Sequence, residues 1–300
     1  MAKQPKSLNG RVVAITGGAR GIGRATAQAL VREGARVAIG DLDADLARKT
    51  ADELGSGTRA YQLDVTSRPS FAAFLDSVES DLGPLDVMVN NAGIMPIKPF
   101  LEEEDASAVR QLDINVHGTI FGMKEAIPRM LQRGSGHVVN LASVAGKGGF
   151  PYLATYCATK HAVVGLTEAV RGEFDGRGID FTTVMPAMVN TELTAGVKAG
   201  RGVEKAEPEE VADAIVDALK LSRVDVFVPR AVGRINKVMT IMPRSVRERI
   251  GRLLEADKVM VRADMAGRRA YEDRVAHSEP TPLEKSDAGA AENVAKQPVG

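Results

Sequence analysis

From Arg11 to Pro229 short apolar runs alternate with segments whose apolar residues recur at helical spacing. The runs R-V-V-A-I-T from Arg11, A-R-V-A-I-G from Ala35, T-R-A-Y-Q-L from Thr58 and L-D-V-M-V-N from Leu85 read as strands. So do H-V-V-N-L-A from His137, I-D-F-T-T-V-M from Ile179 and V-D-V-F-V-P from Val224. Between them Ile22–Arg32, Leu42–Leu54, Phe71–Leu82, a long stretch from Glu104 to Gln132, Ala154–Asp175 and Pro208–Leu221 read as helices. Apolar, β-branched strands separated by helices predict a parallel sheet covered on both faces. The expected fold class is α/β: a doubly wound parallel sheet (Rossmann fold) over residues 8–229, with ligands beyond the carboxyl ends of the strands.

Past Pro229 the alternation ends. Ala231–Met242 is apolar with Arg234 and Lys237 interposed, and Pro243 breaks it. Arg244–Val261 then reads as an amphipathic helix with Val246, Ile250, Leu253, Leu254 and Val261 on one side. Residues 230–274 carry twelve Lys and Arg against six Asp and Glu, in a chain whose formal net charge is +0. This basic helical extension could cover the ligand site, pack on a partner subunit or make peripheral membrane contact through residues 230–262. Residues 275–300, rich in Ala, Glu, Pro, Ser and Lys, are expected to be disordered.

Composition narrows the function classes. Zero net charge and scarce aromatic residues give no basis for nucleic-acid binding. The N-terminal MAKQPKSLNG lacks the apolar core of a signal peptide, and no run reaches the ~18 apolar residues of a membrane span. The lone Cys157 cannot pair within the chain, which suits a reducing cytoplasm. His117, His137, His161 and His277 are scattered without metal-ligand spacing, so no metal site is expected.

Two stretches carry chemistry. In T-G-G-A-R-G-I-G (Thr16–Gly23), Gly17, Gly21 and Gly23 let backbone approach a pyrophosphate at a helix N-terminus, with Arg20 and Ile22 beside it. The second strand then ends at Asp41, followed by Leu42. A carboxylate there can accept two adenosine ribose hydroxyls and repels a 2′-phosphate, favouring NAD over NADP; Arg20 pulls weakly the other way. Asp41 could instead cap the next helix. In Y-C-A-T-K, Tyr156 and Lys160 share one helical face, where an ammonium favours the phenolate and makes a proton donor and acceptor. A plain amphipathic helix would carry the same spacing.

T-G-G-A-R-G-I-G, N-N-A-G (Asn90–Gly93), Ser143 and Y-C-A-T-K occur in order, with Tyr156 13 residues after Ser143. This ordered set resembles the short-chain dehydrogenase/reductase family over roughly Leu8–Pro229. The resemblance implies that Tyr156 is the general acid/base, that Lys160 tunes it and holds the nicotinamide ribose, and that Ser143 binds the substrate oxygen. It implies that Asn115 holds a water in the proton relay; the other reading is a buried Asn satisfying backbone groups, and the two are compatible. Asp64 and Val65 would contact adenine. Asn91, Ala92 and Gly93 would line the adenosine ribose, and Pro186, Val189 and Thr191 would grip the nicotinamide. Ala187 departs from the family's usual glycine and leaves the shape of the inner pocket open.

By family position the substrate pocket comprises Ile94, Met95, Pro96, Ser143, Val144, Ala145, Phe150, Leu153, Ala187 and Met188, with Thr191–Glu207 as a lid. Its apolar character suits a lipophilic secondary alcohol or ketone, of steroid, retinoid or terpenoid type. An NADPH-dependent 3-oxoacyl thioester reductase is the rival enzyme, and a non-catalytic cofactor-binding sensor the rival of another class. The resemblance also implies a homo-dimer or homo-tetramer assembled through the helices at Glu104–Gln132 and Ala154–Asp175.

Overall fold

The computed structural model describes residues 4–198, 204–243, 245–246, 249 and 258–277. Seven parallel strands form one sheet in the order β3-β2-β1-β4-β5-β6-β7. They are β1 (Val12–Thr16), β2 (Arg36–Asp41), β3 (Arg59–Gln62), β4 (Val87–Asn90), β5 (Gly136–Leu141), β6 (Ile179–Pro186) and β7 (Asp225–Val228). The connecting helices are α1 (Gly21–Arg32), α2 (Ala44–Leu54), α3 (Arg68–Leu82), α4 (Asp105–Leu112), α5 (Gly118–Arg133), α6 (Ala154–Glu173) and α7 (Pro208–Leu221). Beyond β7 lie α8 (Arg230–Ile241) and α9 (Met265–His277).

Alternation along the strands sends successive side chains to opposite layers. Val13 and Ile15 of β1 join Val37, Ile39, Val87 and Val89 in a core completed by α1, α2 and α7. Val12 and Ala14 join Ala38, Met88 and Val138 in a second core, closed by Phe71, Phe74 and Leu75 of α3 and Met123, Ala126 and Met130 of α5. The doubly wound sheet is thus buried on both faces, and the strand order reverses between β1 and β4.

Three expectations change in detail. The stretch expected as one helix from Glu104 to Gln132 is divided by a π-helical turn at Asp113–His117. The helix expected from Leu42 begins at Ala44 because Asp43 is its N-cap, accepting from the Leu46 amide at 3.0 Å. Ala231–Met242 folds mainly as α8, which leaves Ile235, Val238 and Ile241 exposed. Of the helix expected over Arg244–Val261, Ile250, Leu253 and Leu254 lie outside the described residues, and Val261 sits in a turn. The expected disordered tail lies outside them from residue 278 onward, while residues 275–277 belong to α9. Among the described residues no helix is long and apolar enough to cross a membrane.

The layer between α5 and the sheet has no spare room at Gly122. A Cβ there would lie 1.9 Å from Asn90 Oδ1 and 2.8 Å from the Phe71 ring, and Asn90 is itself held at 2.8 Å to Asn140 inside the core. Gly122→Ala is expected to destabilise the protein by ~1–3 kcal/mol, read by urea denaturation. A loss below ~0.5 kcal/mol would show that this layer yields.

Candidate active site

The glycine loop leaves β1 and enters α1. Gly17 has φ +63 and Gly21 φ +52, a region L side chains avoid. A Cβ on Gly23 would sit 2.2 Å from the Gly17 carbonyl, so Gly23 serves the closeness of the turn and does not line the cavity. Thr16 and Asn91 pin this loop to the next one. The Thr16 hydroxyl accepts the amides of Asn91 and Ala92 at 3.0 Å each, and Asn91 Nδ2 donates to the carbonyls of Thr16 at 2.8 Å and Gly17 at 3.0 Å. Thr16 was not singled out from the sequence, although it opens the glycine motif.

Asp41 ends β2 beside this loop. Its carboxylate accepts the amides of Ala19 at 3.1 Å and Asp43 at 3.2 Å. Burial raises its pKa, and those amides and Arg20 oppose the rise. Capping is done by Asp43, so Asp41 remains on the cavity wall. Arg20 is engaged by carboxylates, at 2.9 Å to Asp43 and 3.4 Å to Glu192. Asp64 spends its carboxylate on the Thr66 amide and hydroxyl at 2.9 and 2.7 Å, and it lines the cavity together with Val65.

A cavity of about 1020 Å³ runs from this loop along the carboxyl ends of the strands. Ser143, Tyr156 and Lys160 line it together, with Gly17, Arg20, Gly21, Ile22, Leu42, Asn91, Ala92, Gly93, Pro186, Val189 and Thr191 along the same wall. Ser143 Oγ accepts the Ala145 amide at 3.1 Å and donates to the Pro186 carbonyl at 3.4 Å. Burial raises the Tyr156 pKa, and the Ser143 hydroxyl pulls it back. Lys160 Nζ donates to the Leu141 carbonyl at 2.8 Å and lies 5.7 Å from the Tyr156 ring centroid. Its pKa is lowered to about 8, because burial penalises the ammonium.

Asn115 stands behind the wall, in the π-helical turn. Its amide is fully occupied: Oδ1 accepts from Ile94 N at 2.8 Å, and Nδ2 donates to Ile94 O at 3.0 Å and Thr159 Oγ1 at 3.1 Å. It therefore sets the path of the Ile94 loop.

The inner cavity is lined by Ile94, Met95, Val144, Ala145, Phe150, Leu153, Ala187 and Met188; Pro96 is set back from it. Ala187 lies outside the positive-φ region, so its methyl costs no backbone strain. In the lid expected at Thr191–Glu207, residues 199–203 lie outside the described residues.

The extension was expected among other roles to cover the ligand site, but the sequence reading named none of the residues that α9 and the turn before it bring to the wall. Val259, Met260, Tyr271, Arg274 and Val275 all line the cavity. Arg268, one of the twelve basic residues of the extension, is 0% exposed. It donates to the carbonyls of Met95 at 2.7 Å, Leu193 at 2.8 Å and Ala195 at 3.1 Å, and pairs with Glu272 at 2.7 Å. A basic residue on a short polar helix gives no sequence sign of this, since its acceptors are main-chain carbonyls.

A family model described as short chain dehydrogenase matches residues 11–202. The chain belongs to that family. It is 41% identical over 193 residues to the sorbitol dehydrogenase of Cereibacter sphaeroides, covering 64% of this chain and 75% of the relative. It is 34% identical over 233 residues to the 17-beta-hydroxysteroid dehydrogenase 13 of Mus musculus, covering 76% of each. A crystal structure of a short-chain dehydrogenase/reductase from Burkholderia phymatum in complex with NAD shares the fold, with TM-score 0.72, 24% identity and 78% of this chain covered against 94% of that one. Like other short-chain dehydrogenases, the protein is thus an oxidoreductase of the kind that acts on alcohols and ketones.

Two outcomes follow from this family member's buried cations. Arg268→Ala strands three carbonyls and removes the cation paired with Glu272, and is expected to cost ~3–5 kcal/mol in urea denaturation. An unchanged midpoint would show that the helix is held otherwise. Lys160 has a folded-state pKa of about 8, below its unfolded value near ~10.4. The unfolded chain therefore binds more protons in that window, and stability from this group rises with pH across it. Relative to Lys160→Met, the wild-type protein should gain ~1–3 kcal/mol between those pH values. A flat difference would mean that Lys160 titrates normally.

Proposed function

We propose that the protein transfers a hydride between NAD(H) and a lipophilic secondary alcohol or ketone. The observation that carries this reading is the convergence of Ser143, Tyr156 and Lys160 on one largely apolar cavity that begins at the glycine loop. The residues fit a dinucleotide. The loop admits no Cβ at Gly23, and the amides at the start of α1 suit a pyrophosphate. Asp41, with Asp43 near it, suits unesterified ribose hydroxyls and disfavours a 2′-phosphate; Arg20, held by Asp43 and Glu192, is drawn away from one.

When bound, the nicotinamide accepts or gives the hydride. The chain's own part is position and proton control. Ser143 holds the substrate oxygen. Tyr156, kept protonated by burial, gives its proton to a ketone oxygen and takes it back from an alcohol. Lys160 brings a positive charge that favours the phenolate and binds the nicotinamide ribose. Asp64, Val65, Asn91, Ala92 and Gly93 border the adenosine, and Pro186, Val189 and Thr191 the nicotinamide. Asn115 holds Ile94 through both backbone groups, which is compatible with its holding a water in the proton relay.

The reading extends to a cytoplasmic homo-dimer or homo-tetramer. Exposed Val109 and Leu112 on α4 support a subunit contact there. Ile235, Val238 and Ile241 on basic α8 support peripheral membrane contact. The free, buried Cys157 suits a reducing compartment.

The test is turnover of steroid, terpenoid, retinoid and aliphatic secondary alcohols with NAD⁺ and separately NADP⁺, followed by absorbance of the reduced cofactor. NAD⁺ is expected to support turnover, and Tyr156→Phe to lower kcat by ~10²–10⁴-fold. A preference for NADP⁺ would overturn the Asp41 argument and favour a 3-oxoacyl thioester reductase.

A further inference from the structure

Tyr271 is a buried phenol that α9 adds to the cavity wall beside Arg274 and Val275. It is 6% exposed and lines the same cavity as Tyr156, close enough that a charge on one phenol would raise the pKa of the other. Its oxygen accepts the Met95 amide at 2.8 Å. Arg268 lies over its ring at 4.7 Å from the centroid, and Arg274 at 5.5 Å. Ring and oxygen are therefore fixed from several sides. The hydroxyl proton is different: among the described residues no acceptor takes it. A phenol carries one proton and keeps it here, because burial pushes its pKa up to about 12. A buried donor without a partner is costly, and the inner cavity it lines is walled largely by apolar side chains such as Leu153, Ala145 and Val144.

We propose that Tyr271 is a specificity-determining residue whose hydroxyl donates to a second oxygen of the substrate, one other than the reacting oxygen between Ser143 and Tyr156. The substrate class is thereby narrowed from lipophilic ketones and alcohols in general to those with an apolar frame and two oxygens. This deepens the reading of the site proposed above and rests on it. Arg268 acts as a positioning residue for the same donor. By tying Met95 O, Leu193 O and Ala195 O to α9, it fixes the phenol relative to both loops of the cavity. A site built to hydrogen-bond a substrate oxygen discriminates against analogues that lack it, because the donor is then left unpaired.

The experiment is binding, so that it does not depend on hydride transfer. Dissociation constants are measured by calorimetry for two pairs of ketones, cyclohexanone with cyclohexanedione and androstanone with androstanedione. The protein is loaded with NADH in the Tyr156→Phe background, with and without Tyr271→Phe. In at least one pair the diketone is expected to bind about tenfold or more tighter than its monoketone. Tyr271→Phe should abolish that advantage while leaving monoketone affinity within about twofold. Tyr271→Phe keeps the ring and the Arg268 contact, and a merely structural loss would weaken both members of a pair alike. Equal weakening, or no advantage that depends on Tyr271 in either pair, overturns the inference. Absence of alcohol turnover in the wild-type protein would sink the lipophilic-alcohol reading instead, and the binding comparison would still decide the role of Tyr271.

Discussion

The site depends on one short polar knot at the point where the sheet reverses its order. Thr16 ends β1 and Asn91 follows β4, and each satisfies backbone groups of the other's loop. Chain connections leave β1 and β4 towards opposite sides at this place, so the two loops diverge and a crevice opens between them. Without the knot, four backbone groups at the crevice floor would need other partners. With it, the glycine turn and the Ala92–Gly93 segment are held side by side at hydrogen-bond distance. The remaining site is laid out from that floor.

The same device recurs around the cavity. Asn115 grips both backbone groups of Ile94, Lys160 holds the Leu141 carbonyl, and Arg268 holds three carbonyls of two loops. In each case a buried polar side chain fixes backbone carbonyls or amides at the cavity. Such bonds are strong in a low-dielectric interior and costly to break one at a time. Loops that would otherwise move are thereby given the rigidity that positioning of a reacting group requires. The exposed ion pairs of Glu192 with Arg20 and Arg274 link the glycine loop to α9 but stand in solvent, where such pairs contribute little.

The extension after β7 divides into parts with different physics. Helix α8 leaves large apolar side chains in solvent, and Gly233 gives it a close seat on Phe227. Helix α9 is polar along its length yet carries the most deeply buried arginine described. Its attachment rests on hydrogen bonds and on Tyr271 and Val275, which enter the cavity wall. The net basic charge of the extension thus combines solvated cations with one fully enclosed cation.

Local pattern was enough for the architecture. Continuous apolar strands, amphipathic helices and the glycine motif are properties of neighbouring residues, and the strands and helices up to Val228 lie within a few residues of where the pattern places them. The i,i+4 spacing of Tyr156 and Lys160 likewise survives as a shared face on α6. Most of the cavity lining was legible for the same reason, since strand ends of a doubly wound sheet must converge. The contacts of Asn115, Thr16, Arg268 and Tyr271 were decided only in three dimensions. Arg268 meets its acceptors across 173 and 75 residues of chain, and those acceptors are backbone carbonyls, which every residue possesses. No residue type or spacing records such a bond. Tertiary packing alone selects which carbonyls are left unpaired and which side chain reaches them.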